Sequence, residues 1–255
     1  MSHQQDKAVL FTSLHVAGAP LVLFNAWDAG SARAVAEAGA QAIASGSWSV
    51  AAANGFGDGE HLPLALALDN LRRMVAAVDL PLTVDLESGY GETPDAVAAT
   101  VAAALEAGAV GCNLEDSFPA DGSLRPAADQ AARLAAVRAA AERAGVALFV
   151  NARTDVFFQA PADAHDAAMV DAALERARAY ADAGASGLFV PGVVAEALIA
   201  RIAKDSPLPV NVMVMPATPP RARLAELGVA RISHGPGPYR SAMQWLAQAA
   251  RDAMA

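Results

Sequence analysis

Short apolar runs and longer alanine-rich segments alternate along almost the whole chain. Runs rich in Val, Leu and Phe lie near 20–26, 41–45, 81–87, 109–115, 146–153, 186–190, 208–213 and 229–233. Brief apolar stretches bounded by turn formers predict buried strands. Between them, segments of helical period near 28–39, 64–78, 94–107, 126–144, 164–183, 193–204, 219–227 and 238–253 predict helices. Thr93-Pro94 places a capping hydroxyl before a first-turn proline. Gly39, Gly108, Gly145, Gly184 and Gly228 stand where helices should stop. Strand–helix units repeated in this way predict an α/β fold with a parallel sheet, most simply closed as a (β/α)8 TIM-type barrel. An open doubly wound sheet is the alternative. A length of 255 residues suits one barrel domain over 1–255, with the polar segment 1–8 as a loose start.

Parallel strands covered on both faces should be nearly all apolar, so their polar members carry information. Side chains alternate along a strand with period 2. Thr83, Asp85 and Glu87 therefore share one face, as do Asn113 and Glu115, and Asn151, Arg153 and Asp155. Asn25 pairs with Trp27 in the first strand, and Asn211 comes from the seventh. These positions fall near the carboxyl ends of the strands, where barrels build their sites. Asp85, Glu87, Glu115 and Arg153 should thus converge on one pocket. Carboxylates are hard oxygen ligands of the kind Mg2+ takes, with Mn2+ as a substitute. Mg2+ binds one or two of them directly and keeps several waters, so Asp85 is the direct ligand, with Glu87 and Glu115 reaching it through water. The competing reading makes these carboxylates buried partners of Arg153. Histidine is absent from these strand ends, which disfavours zinc.

Arg153 offers a planar fork suited to a carboxylate or phosphonate, or to a salt bridge with Asp155 or Glu115. Ser45, Gly46 and Ser47 follow the second strand, where successive backbone N–H groups can hold an oxyanion. The glycine-rich stretch 54–61 reads as a loop over the mouth that delivers Asp58 or leaves it solvated. Ser117 to Pro126 reads as a lid or as an ordinary turn. Trp27 is expected on the pocket wall, or else in the core. Cys112 reads as a packing residue, and His61 and His234 as surface or structural groups.

Composition narrows the setting. The net charge of −9 argues against nucleic acid and anionic membrane as partners. No apolar run free of polar residues reaches the length of a membrane span, and no export signal is evident, so a cytoplasmic enzyme is expected. A single cysteine excludes an intramolecular disulfide and a multi-cysteine zinc site.

Together the stretches LFNAWDAGSAR (23–33), IASGSWSVAAANGFGDGE (43–60), VDLESGYG (84–91), VGCNLEDS (110–117), NARTDVF (151–157), AGASGLFVPG (183–192) and GVARISHG (228–235) resemble the isocitrate lyase / phosphoenolpyruvate mutase superfamily. The resemblance runs in order over most of the chain. It implies the same barrel, often with an eighth helix swapped between subunits of a homodimer or homotetramer. It also implies Mg2+, small 2-oxo or 2-hydroxy acids as substrates, and reactions passing through an enolate. By resemblance Ser45, Gly46 and Ser47 hold the substrate carboxylate, Asn211 binds substrate, and Asp58, Asp85, Glu87 and Glu115 form an acidic metal shell. Arg153, Asp58 and Glu115 are then the candidate catalytic groups. The departures matter as well. The lyases carry a Cys-Gly-His segment shortly after the Glu-Asp motif, where this chain reads SFPADGSLRP. The mutase and phosphonopyruvate hydrolase branches carry a Lys-Thr-Asn-Ser-like segment there and a histidine after the sixth strand; Pro191 falls near that histidine's place. The resemblance therefore implies an Mg2+-dependent lyase that breaks a C–C bond by decarboxylation or retro-aldol cleavage. The alternatives are phosphonopyruvate-type P–C chemistry and non-catalytic binding of 2-oxo acids.

Overall fold

A computed structural model describes residues 3–255. Eight strands are present: β1 (Leu21–Leu23), β2 (Ile43–Ala44), β3 (Leu82–Asp85), β4 (Gly111–Glu115), β5 (Phe149–Arg153), β6 (Gly187–Val190), β7 (Val210–Met213) and β8 (Arg231–Ser233). Each lies inside a run predicted from the sequence. All pair in parallel in the order β1-β8-β7-β6-β5-β4-β3-β2. The remaining seam, between β1 and β2, is joined by a parallel bridge from Ala26 to Ser45. The sheet is therefore a (β/α)8 barrel, not an open doubly wound one.

The predicted helices also form: α2 (Ala29–Glu37), α4 (Leu64–Ala77), α5 (Pro94–Glu106), α6 (Ala127–Arg143), α7 (Ala167–Asp182), α8 (Glu196–Asp205), α9 (Arg221–Glu226) and α10 (Gly237–Met254). Thr93 caps α5 through its hydroxyl, with Pro94 in the first turn. Two further helices escaped the pattern, α1 (His3–Ser13) and α3 (Ser47–Ala53). The loose start expected for 1–8 is corrected from His3 onward, where the chain is helical.

α1 closes the amino-terminal end of the barrel. Phe11 is fully buried and meets Phe149 edge-on at 5.6 Å, and the His15 ring just beyond the helix stacks on Phe149 at 3.8 Å. A Cβ on Gly111 would lie 2.8 Å from the Phe11 ring and 2.9 Å from Thr83 Oγ1, so only glycine fits there. Burial, helped by the Arg231 guanidinium, pushes His15 down to about 3 and keeps it neutral at physiological pH.

α10 is different from the other barrel helices. Pro238 is its only buried residue, while Trp245 is 71% and Leu246 52% exposed. Beside β1 runs an apolar groove of about 520 Å3 lined by Val22, Phe24, Ala34, Val35 and Ala38. No helix of the described residues is long and apolar enough to cross a membrane.

Candidate active site

A pocket of about 160 Å3 opens at the carboxyl ends of the strands, with Asn25, Ser47, Trp48, Asp58, Asp85, Asn113, Arg153 and Ser233 among its lining. Strand parity accounts for this. Asp85, Asn113 and Arg153 sit on the inward face of neighbouring strands, in the register Asp85 to Asn113 and Glu115 to Arg153.

Asp85 is held from the segment after β2. Its Oδ2 accepts hydrogen bonds from Ser47 N at 3.1 Å and Ser47 Oγ at 3.0 Å, and its backbone N–H donates to Ser45 Oγ at 3.0 Å. Ser45 is buried behind the pocket, while Gly46 and Ser47 line it. Ser47 is also the first residue of α3, so the predicted oxyanion turn is the start of a helix.

Arg153 forms the salt bridges foreseen as one of its two roles and also borders the pocket. Its Nη1 lies 2.7 Å from Glu115 Oε2 while Nε and Nη2 donate to Asp155 at 2.6 and 3.0 Å. Burial disfavours the Arg153 cation, but Glu115 and Asp155 outweigh it and hold the group charged. Burial also raises the Glu115 carboxyl above the usual range, with Arg153 working against it. Asp155 is fixed in turn by Ser117 Oγ at 2.7 Å. Its backbone N–H donates to Asp116 Oδ1 at 2.9 Å, and fully buried Asp116 accepts from Tyr180 and Arg176.

Glu87 turns away from the pocket into a clasp. Its Oε2 accepts from Gly59 N at 2.7 Å and Glu60 N at 2.6 Å, and Tyr90 Oη donates to Oε1 at 3.2 Å. Glu60 reciprocates by accepting from Ser88 Oγ and Tyr90 N. Glu60, Glu87 and Tyr90 all adopt left-handed backbone, at φ 62°, 53° and 53°. Such conformations cost non-glycine residues free energy, which these reciprocal bonds offset. The clasp seats the glycine-rich loop 54–61 across the mouth and brings Asp58 into the pocket. The second loop, 117–126, is instead a turn closed on itself. Ser117 bridges Leu124, Arg125 stacks on Phe118 at 4.0 Å, and none of the residues from 118 to 126 lines the pocket.

Two expectations shift position. Trp27 packs edge-on against Tyr239 at 5.2 Å outside the pocket, and Trp48 is the wall instead, with Arg240 4.4 Å above its ring. Asn211 is buried behind Ser233 and shares a 3.2 Å hydrogen bond with its hydroxyl. Phe158, Phe189 and Met213 complete the wall. Their aromatic and thioether side chains carry no polar mark to separate them from ordinary core residues.

Among the described residues, no three His, Cys, Asp or Glu side chains are grouped to hold a metal. A cation that takes one or two carboxylates and fills its shell with water does not require three. Burial and then the charge of Asp85 raise the Asp58 carboxyl, and Asp85 also raises Glu87 and Glu115. Asp58 and Asp85 line the same pocket and are hard oxygen donors of the kind Mg2+ takes, so the two fit that ion.

Burial lifts Glu87 to about 7, against an ordinary value of 4.5, although two backbone N–H groups oppose the shift. A carboxyl raised on folding stabilises the native state while protonated and loses that contribution as pH rises through the folded value. In chelator, the wild-type protein should therefore lose up to roughly 3 kcal/mol of stability between pH 4.5 and 7, relative to Glu87→Gln. Denaturant unfolding of both proteins across that range checks this; parallel pH profiles would refute it.

The family model for phosphoenolpyruvate phosphomutase matches residues 11–254. A solved structure of a candidate phosphonomutase from Burkholderia cenocepacia is 61% identical, with a TM-score of 0.96 over 98% of this chain and 99% of that one. The 2-methylisocitrate lyase of Escherichia coli is 31% identical over 203 residues, covering 78% of this chain and 68% of the lyase. A phosphonopyruvate hydrolase solved with oxalate and Mg2+ is 25% identical, with a TM-score of 0.82 over 99% of this chain and 88% of the hydrolase. With the barrel, the inward carboxylates and Arg153 at one mouth, these matches show that the chain belongs to the phosphoenolpyruvate mutase family, within the isocitrate lyase / phosphoenolpyruvate mutase superfamily.

Proposed function

We propose that the protein is an Mg2+-dependent carbon–carbon lyase that breaks a bond of a small 2-oxo or 2-hydroxy acid by decarboxylation or retro-aldol cleavage. The observation that carries this is that Arg153, Asp58 and Asp85 line one pocket whose lining holds no cysteine or histidine. Asp85 and Asp58 would hold Mg2+, with Glu87 and Glu115 further out, and the bound ion would supply Lewis-acid polarisation of a substrate oxygen. Arg153 has five N–H donors and spends three on Glu115 and Asp155, which leaves two for a substrate carboxylate or a developing oxyanion. Ser47 orients Asp85, and the Glu87 clasp holds loop 54–61 over the site and limits water. Decarboxylation asks little beyond this electron sink, so an absent thiol acid is tolerated. The reading carries with it a cytoplasmic setting, in keeping with one free, buried cysteine.

The test is a panel of 2-oxo and 2-hydroxy acids incubated with the protein and Mg2+, read by released CO2 and keto acid. Turnover of one member that stops in chelator supports the reading; a folded, metal-bound protein inert to the panel sinks it. The likeness to a candidate phosphonomutase favours a second reading, P–C chemistry. Phosphorus NMR with phosphonopyruvate decides between them, because only P–C chemistry changes the phosphorus spectrum.

We also propose a homodimer or homotetramer in which α10 of one copy lies on the barrel of another. Trp245 and Leu246 are exposed on α10, while the groove beside β1 is apolar and uncovered. Apolar surface of this kind marks an interface. Trp245→Glu with Leu246→Glu should reduce the particle to a monomer, by half for a dimer and to a quarter for a tetramer. Light scattering after size exclusion checks this, and an unchanged mass would exclude the arrangement.

A further inference from the structure

Arg231 is fully buried inside the barrel beneath the pocket. Among the described residues its hydrogen bonds go to neutral groups: Nε donates to Ser233 Oγ at 3.4 Å, Nη2 donates to Asn113 Oδ1 at 3.3 Å, and Nη1 has no partner. Burial lowers it to about 9, with the charge of Asp85 opposing, so it stays a cation at neutral pH. A guanidinium has donors and no acceptor. The Asn113 atom that faces it must therefore be the oxygen. Asn151 Nδ2 donates to the same oxygen at 2.9 Å. Asn113 Oδ1 is thus taken up from within the barrel by two donors. Its Nδ2 has no hydrogen-bond partner among the described residues, and Asn113 lines the pocket beside Asp85 and Arg153. Asn151 could reverse with it, because its own Oδ1 is buried without a partner. The Arg231 guanidinium cannot accept, so a reversed Asn113 Nδ2 would face it donor against donor, in a buried place where unmatched polar groups are costly.

We propose that Asn113 Nδ2 is a hydrogen-bond donor to a substrate oxygen on the pocket floor, and that Arg231 is the positioning residue that fixes this polarity. The inference rests on the reading that the pocket takes a small acid anion, and it names the group that recognises one carboxylate or enolate oxygen. Arg153 contacts the anion from the β5 side, and Asn113 from the floor. Ser233, which Arg231 also contacts, lines the same floor.

Calorimetric titration of oxalate in the presence of Mg2+ tests this with the whole protein. Asn113→Ala should weaken oxalate binding about 10- to 100-fold, the range for a hydrogen bond to a charged group. In an Arg231→Met background, the further cost of Asn113→Ala should shrink to a few-fold, and Arg231→Lys, which keeps a charged donor, should restore most of it. A merely structural arginine would lower Tm but leave the Asn113→Ala factor unchanged. Because Arg231→Met risks misfolding, a crystal structure of the wild-type protein with oxalate and Mg2+ supplies a second measure. It should show an oxalate oxygen within hydrogen-bond distance of the Asn113 amide. Wild-type binding with an unaffected Asn113→Ala variant, or oxalate seated away from Asn113, would overturn the inference alone. No oxalate binding by the wild type would overturn the acid-binding reading and this inference with it.

Discussion

Arg153→Met should abolish turnover of the acid identified by the panel, by at least about a thousandfold in kcat/KM, and should cost about 3–5 kcal/mol of stability. Both effects come from one side chain. Arg153 lies 2.7 Å from Glu115 and forms a fork with Asp155, and its removal leaves buried Asp155 and half-buried Glu115 without that counter-charge. The two losses are separable. Adding Glu115→Gln to Arg153→Met removes one stranded charge and should recover part of the stability in urea unfolding, without recovering activity. Arg153→Lys keeps the charge but loses the planar fork, so it should be more stable than Arg153→Met and still be strongly impaired. Full activity in Arg153→Met would show that the residue serves the fold alone.

The second large effect is expected at Asp85→Asn. The amide is nearly isosteric, and its oxygen still accepts from Ser47 N and Oγ, so the fold should persist. What disappears is the negative oxygen directed into the pocket beside Asp58. Even outer-shell substitutions at metal sites cost 10- to 100-fold in affinity. A direct ligand should cost at least about 100-fold in Mg2+-dependent oxalate binding. The thermal shift given by oxalate plus Mg2+ reads this directly, since a ligand that binds only the folded state raises Tm. An unchanged shift in the variant would remove Asp85 from the metal site.

The eight strands and the helices that follow them were legible because each is specified locally. Apolar runs such as LFV at 188–190 and LTV at 82–84 bury on both faces, and glycines such as Gly108, at φ 100°, stop the preceding helix. α1 was not legible, because HQQDKAVLFTS has no apolar stripe of helical period. Its burial is concentrated in Ala8 and Phe11, and the partners of Phe11, Gly111 and Phe149, lie 100 and 138 residues further along the sequence. α3 was hidden because a short alanine-rich stretch after Ser-Gly-Ser reads as well as a turn.

At the site, period-2 alternation was enough to bring Asp85, Asn113 and Arg153 to one mouth, because parity is a property of the strand itself. It failed one step past the strand ends. Glu87 has the right parity, but its backbone turns left-handed at φ 53°, and its carboxylate serves Gly59 and Glu60 instead of the pocket. Trp27 has the parity of Asn25, yet Trp48 at the start of α3 forms the wall. Asp58 enters only because that clasp seats its loop. The sequence by itself determined the eight strand–helix units of a parallel sheet, the strand ends that carry charge and the chemical kind of that charge, since these follow from period and residue type. Closure of the sheet into a barrel was seen only in the pairing of β1 with β8 and the bridge from Ala26 to Ser45. Only the tertiary structure decided which carboxylates face the pocket and which way the Asn113 amide points. Those depend on hydrogen bonds from Glu60, Asn151 and Arg231, which approach from distant segments and leave no local trace.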